Sequence, residues 1–168
     1  MILSIVQVGD PVLKTPAREV PPGELADGPF QYLLRDLRET LADSGGVGLA
    51  APQVGASVRL ILAGSFPSFA SPDRPDVPTM ALVNPRIVAH SEATEADWEG
   101  CLSIRDLRVR VVRHLEVVVE YLDPDGSPLT VEASGFFARV LQHEIDHLDG
   151  VLTVDRAAAP DDVRRVGE

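Results

Sequence analysis

Apolar residues recur at helical spacing at Phe30, Leu33, Leu34, Leu37 and Leu41, which predicts an amphipathic helix over about 29 to 43. Pro21, Pro22, Gly23 and Pro29 lead into it, and Ser44, Gly45 and Gly46 stop it. Val58 to Ala63 is a short unbroken apolar run and reads as a buried strand, so residues 46 to 57 become a glycine-rich connection. The stretch 64 to 79 carries Pro67, Pro72, Pro75 and Pro78 with little periodicity and is expected to be an exposed, mobile loop without chemistry. Leu82 to Ala89 reads as a strand. Glu116 to Leu122 and Leu129 to Ala133, joined by Asp-Pro-Asp-Gly, read as a hairpin. From Ser134 to Leu148 the period changes to that of a helix, with Gly150 just beyond its end. Strands followed by a late helix imply an α+β fold, with antiparallel β-sheets packed around that helix.

Composition narrows the class. A chain of 168 residues with 45% hydrophobic content can bury a core without staples, and residues 1 to 168 are expected to form a single domain. A formal charge of −11 disfavours direct nucleic-acid binding, which rests on clustered Lys and Arg. A lone cysteine makes no internal disulfide and suits a reducing compartment, so the cytoplasm is the expected location. The first residues lack the pattern of a signal peptide, and no apolar run reaches the roughly 18 to 20 residues that cross a bilayer. No membrane association is expected.

The late helix carries the chemistry. In Gln-His-Glu-Ile-Asp-His, His143 and His147 stand one turn apart on one helical face, with Glu144 beside them. Two imidazoles bind one divalent ion while the carboxylate reaches a water on it. A third ligand is needed, and Cys101, in Glu-Gly-Cys-Leu-Ser, is the conspicuous candidate. One thiolate and two imidazoles leave an open fourth position, the arrangement of a catalytic site rather than a structural one. Taken alone, Cys101 is more readily a small core residue; Gly100, Glu99 and Ser103 shift the balance toward a ligand. His90 and His114 lack partners at ligand spacing and read as structural or surface residues. Gly46-Val-Gly-Leu-Ala-Ala-Pro-Gln53 is no phosphate loop, since no Lys-Ser/Thr follows and a helix precedes it. Its small residues let an extended ligand approach the backbone, and Gln53 is available as a donor to an oxyanion.

Together the three segments resemble the polypeptide deformylase family, whose pattern is Gly-x-Gly-x-Ala-Ala-x-Gln, then Glu-Gly-Cys-x-Ser, then Gln-His-Glu-x-Asp-His. The likeness runs from Val8-Gly-Asp-Pro-Val-Leu to Gly150-Val-Leu and covers most of the chain. The resemblance implies hydrolysis of the formyl group from the N-formylmethionine of nascent polypeptides, with Cys101, His143 and His147 holding one divalent metal. Fe²⁺ is the implied native ion, with Ni²⁺, Co²⁺ or Zn²⁺ able to replace it. Glu144 is implied as acid-base group, and Gln53 with the backbone N–H of Leu102 as oxyanion donors. Gly46, Val47, Gly48, Arg108, Phe136 and Val140 are the expected substrate contacts, and Asp146 a supporting residue.

Three positions depart from the family pattern. Arg105 and Val112 replace prolines in a loop that touches substrate in relatives, and Arg139 replaces an apolar residue and is expected to narrow or polarise the pocket rim. Only 21 residues follow His147, so ribosome contact through a long carboxy-terminal helix is not assumed; transient contact is the expectation. Two rivals stand beside this reading. A His-Glu-x-x-His metallopeptidase would need its third ligand among tail acids such as Asp149, Asp155, Asp161 and Glu168. A metal-bound peptide-binding module with little turnover is the other.

Overall fold

The computed structural model describes residues 1–167, so Glu168 lies outside the described residues. Helix α1 (Gly28–Ser44) is capped by Gly45 in the left-handed region at φ 68°, where a side chain would be strained. Strands β1 (Gly48–Ala50), β2 (Leu60–Ser65) and β3 (Val77–His90) follow, then β4 (Thr94–Cys101), β5 (Ile104–His114), β6 (Glu116–Leu122) and β7 (Pro128–Ser134). Helix α2 (Gly135–Leu148), the short α3 (Thr153–Arg156) and β8 (Val163–Arg165) complete the chain.

Two antiparallel sheets form, one in the order β1-β2-β3-β6-β7 and the other β4-β5-β8. Strand β2 explains how the larger sheet holds both helices. Leu60 and Leu62 point to one face, where they join Phe30, Leu34, Leu37 and Leu41 of α1. Ile61 and Ala63 point to the other, where they meet Ala138, Leu141 and Ile145 of α2. Alternation within a strand thus turns an uninterrupted apolar run into two half-cores. The smaller sheet approaches α2 from its other side through β5. The α+β fold, with antiparallel sheets around the α2 helix, is as the sequence implied.

Two local expectations change. The connection after α1 contains a strand, β1, and a 3₁₀ turn at Ala51–Val54, too short to show a period. The segment 64 to 79 is not a single loop: Ser65 belongs to β2, Val77 opens β3, and the residues between them line the main cavity. Pro67, Pro72 and Pro75 lie in irregular backbone as expected, whereas Pro78 falls within β3; periodicity carries no information on where such backbone is placed in space.

Leu141 is fully buried between α2 and the five-stranded sheet. Leu141→Ala is expected to lower the unfolding free energy by about 2–5 kcal/mol, read from urea denaturation followed by circular dichroism. A loss below about 1 kcal/mol would show that this layer is not packed as described.

Candidate metal centre

Cys101 closes β4, whose burial alternates so that Glu99 and Cys101 both face inward. Opposite them, α2 presents His143, Glu144 and His147. One ligand atom from each of Cys101, His143 and His147 lies within 4.8 Å of the others, and all three residues are buried. The Cys101 Sγ to His147 Nε2 separation is 3.4 Å. Tetrahedral bonds of ~2.3 Å to sulfur and ~2.05 Å to nitrogen place two such ligands about 3.5 Å apart, so the spacing fits a shared ion.

Orientation supports the same conclusion. The Nδ1 of His143 is tied to Glu99 Oε1 at 2.8 Å, which leaves Nε2 free to ligate. Buried Glu144 Oε2 and His147 Nδ1 have no hydrogen-bond partner within the protein. Burial holds His147 well below its usual pKa, so it is neutral with an open lone pair. Burial would lower His143 too, yet its bonds with Cys101 and Glu99 raise it. Burial pushes the Glu144 carboxyl up to about 7, against the pull of His143 and Arg113. That poises Glu144 to exchange a proton near neutral pH.

Gly48 makes room for this carboxylate. A Cβ there would come within 2.8 Å of the Glu144 Cδ, so any side chain would displace Glu144. Gln53, only 1% exposed, accepts the Ala50 N–H on Oε1 at 2.9 Å. That contact turns its amide NH₂ toward the Ser103 hydroxyl at 3.2 Å and Cys101 Sγ at 3.7 Å. Leu102 occupies the turn between β4 and β5, and its carbonyl accepts from Gln7.

A cavity of about 990 Å³ opens above these groups. Gly46, Val47, Gly48, Gln53, Leu102, Arg108, Phe136 and Val140 all line it, together with Cys101, His143 and Glu144. His147 lies behind the wall at 2% exposure. Val112 instead points outward from β5 at 56% exposure. His90 and His114 stack on each other with ring centroids 3.7 Å apart, as befits structural or surface residues. Among the tail acids, Asp149 pairs with Arg59 and Asp155 with Lys14, so neither supplies the third ligand of a metallopeptidase.

A sequence model described as polypeptide deformylase matches residues 2–163. The chain belongs to this family. It is 45% identical over 157 residues to the peptide deformylase of Dictyoglomus thermophilum, covering 94% of each chain. With peptide deformylase 2 of Nostoc sp. it shares 43% identity over 155 residues, 92% of this chain and 86% of the relative. The structure of a class I type b peptide deformylase from Acinetobacter baumannii with Met-Ala-Ser bound is similar at a TM-score of 0.89 and 38% identity, covering 93% of this chain and 98% of that one. The Cys101, His143 and His147 cluster of this deformylase-family chain could hold a divalent metal.

Beyond the family motifs lies a buried ionic network whose centre is Glu99. Its Oε1 accepts from His143 and from Arg113 Nη2 at 2.9 Å, and its Oε2 from Arg113 Nε at 3.0 Å and Arg139 Nη1 at 2.7 Å. Burial by itself would raise the Glu99 carboxyl; the donors from His143 and Arg113 outweigh it and hold it well below the usual carboxylate range. Arg113 also reaches Asp146, which is held in turn by Arg156. Arg139 lines the cavity, but its guanidinium turns inward to Glu99 and to the carbonyls of Val111 and Glu95. Its charge is therefore spent on the metal wall as much as on the rim. Gln142 bonds both backbone groups of His114 and stitches α2 to the end of β5. One signal for the network was present in the sequence: Arg113 follows buried Val109 and Val111 in phase, and a charge on the buried side of a strand calls for a partner.

Glu99→Ala would leave the buried Arg139 without a carboxylate and Arg113 with Asp146 alone. Loss of about 3–5 kcal/mol in unfolding free energy and a 10- to 100-fold weaker hold on the metal are expected, by urea denaturation and competitive chelator titration. An unchanged unfolding midpoint together with unchanged metal affinity would count against the role of Glu99.

Proposed function

We propose that this chain hydrolyses the formyl group from the N-formylmethionine of new polypeptides, using the residues that converge on the cavity floor. Carrying this reading is a buried Cys-His-His cluster beside the unpartnered Glu144 carboxylate, whose pKa burial raises to about 7, under a cleft open to the sheet edge at β1. Cys101, His143 and His147 would hold a divalent ion, which would supply Lewis-acid polarisation and lower the pKa of water there. Glu144 takes the proton from the attacking water and returns it to the departing amine nitrogen, a role its pKa near 7 suits. Gln53 Nε2 and the Leu102 N–H donate to the formyl oxygen as negative charge develops there.

Phe136 and Val140, seven and three residues before His143 on α2, face the cavity with Val47 and offer an apolar seat for the methionine side chain. The β1 strand is the edge of its sheet, so the backbone at Gly46 and Gly48 is available to pair with an extended peptide. Arg108 lies against Gly100, beside the metal ligand, and reaches the same peptide. The Met-Ala-Ser bound in the A. baumannii relative supports a substrate that begins with methionine.

Fe²⁺ is proposed as the native ion and Ni²⁺, Co²⁺ or Zn²⁺ as substitutes, a donor set of one thiolate and two imidazoles being suited to each. The bacterial cytoplasm, with transient contact at the ribosome, is the proposed setting; the similar proteins of Nitrosomonas europaea and Pseudomonas putida are bacterial, and no helix of the described residues is long and apolar enough to cross a membrane.

The test is formate release from a formylmethionyl peptide by protein loaded with Fe²⁺ without oxygen. Glu144→Ala is expected to abolish turnover with metal content preserved. Gln53→Ala is expected to lower kcat by about 10²- to 10³-fold, also with metal retained. No formate from protein of verified metal content would sink the hydrolase reading and favour a peptide-binding module.

A further inference from the structure

Most arginines of this acidic chain are neutralised by carboxylates. Arg18, Arg35, Arg59, Arg86, Arg110, Arg113, Arg139 and Arg156 each have one within 4.0 Å. Arg74, Arg105 and Arg108 have none among the described residues, and all three line the 990 Å³ cavity. They come from separate parts of the fold. Arg74, in the segment between β2 and β3, lies over the Phe136 ring with its guanidinium carbon 4.0 Å from the centroid. Arg105 is exposed at the start of β5, four residues past Cys101. The Arg108 guanidinium rests against Gly100, where a Cβ would meet its central carbon at 2.9 Å. Arg38, also without a carboxylate among the described residues, lines an adjoining cavity of about 300 Å³ that shares Gly45, Gly46 and Phe66 with the main one. Arg164 and Arg165 of β8 likewise have none there; Arg164 lies over the Trp98 ring, and neither lines the main cavity.

Unpaired guanidinium groups gathered around one opening, on a molecule of net charge −11, mark that opening as the place where an anion is welcome. The carboxylates in the same wall are accounted for. Glu99 is consumed by Arg113 and Arg139, and Glu144 sits on the cavity floor beside the ligands. Asp97 and Asp73 remain, with Asp97 accepting the N–H of Trp98 and neither within 4.0 Å of these arginines. Arginine over carboxylate is therefore the local balance at the mouth.

Resting on the deformylase reading, we infer that Arg74, Arg105 and Arg108 form a cationic collar that selects formylmethionyl peptides carrying an acidic side chain within the first few residues after methionine. The reach is right: Arg74 sits at the seat proposed for the methionine side chain and Arg108 beside the ligand Cys101, and each further residue of an extended peptide adds about 3.3 Å. Since the arginines are half-exposed to exposed, each carboxylate contact is individually weak, and the preference comes from their convergence.

The measurement is kcat/KM of the Fe²⁺-loaded protein on formyl-Met-Ala-X-Ser amides with X as Asp, Asn or Lys; the amide removes the competing terminal carboxylate. Asp is expected to exceed Lys by about tenfold at low salt, with Asn between them, and the ratio to shrink toward one at about 0.5 M salt. In the Arg74→Glu, Arg105→Glu double variant the ratio is expected to fall to one or invert. The salt series on the parent protein tests the idea even if that variant folds poorly. Equal rates for Asp and Lys, or faster turnover of Lys, with Asn turned over normally, would overturn the collar and leave deformylation standing. No turnover of any of the three peptides by protein of verified metal content would overturn the deformylase reading, and the collar with it.

Discussion

Glu99 is the constraint around which the rest of the molecule is arranged. Its buried carboxylate accepts from His143, Arg113 and Arg139 at once, which joins the smaller sheet to α2 and fixes the ring orientation of a candidate metal ligand. A buried charge of this kind survives only when fully satisfied, so the strand that bears Glu99 and the helix that bears His143 have little freedom to shift. Cys101, two residues further along the same strand and in the same phase, is delivered to the helix by that registration. Ligand geometry and sheet-to-helix docking are thus one problem with one solution.

The cleft lies where the two sheets converge on α2, lined by β1, the end of β4, the start of β5 and α2 itself. Gly48 brings β1 against Glu144 and leaves room for its buried carboxylate, while Gln53, in the 3₁₀ turn after β1, is held by the Ala50 N–H so that its amide faces Ser103 and the Cys101 sulfur. β1 is the edge of its sheet, and α2 carries both the candidate ligands His143 and His147 and the apolar wall of Phe136 and Val140. Chemistry and substrate seat therefore come from the same few elements, which ties reactivity to correct placement of the chain that enters. The segment between β2 and β3 completes the wall and brings Arg74 to the same cavity as Arg105 and Arg108.

Legibility in the sequence followed the range of the interactions involved. Helix α2, its two histidines and Glu144 could be read directly, because a turn of helix puts residues four apart on one face whatever surrounds it. Helix α1 and the β6–β7 hairpin were equally plain from period and turn residues. Cys101 became a ligand candidate only through its neighbours, and its partnership with the histidines rested on likeness to a family. Three residues are too few to show a period, so β1 passed as loop.

What the sequence by itself determined was local: which segments curl, which extend, and which side chains share a helical face, all set by backbone geometry and burial within a few residues. Only the tertiary structure decided the long-range pairings. Arg139 and Arg113 could not be matched to Glu99 from their order in the chain, nor could a proline-rich stretch be assigned to the wall of a cavity. Such contacts join residues tens of positions apart, and what selects them is the cost of burying an unpaired charge, which exists only once the sheets have closed on the helix.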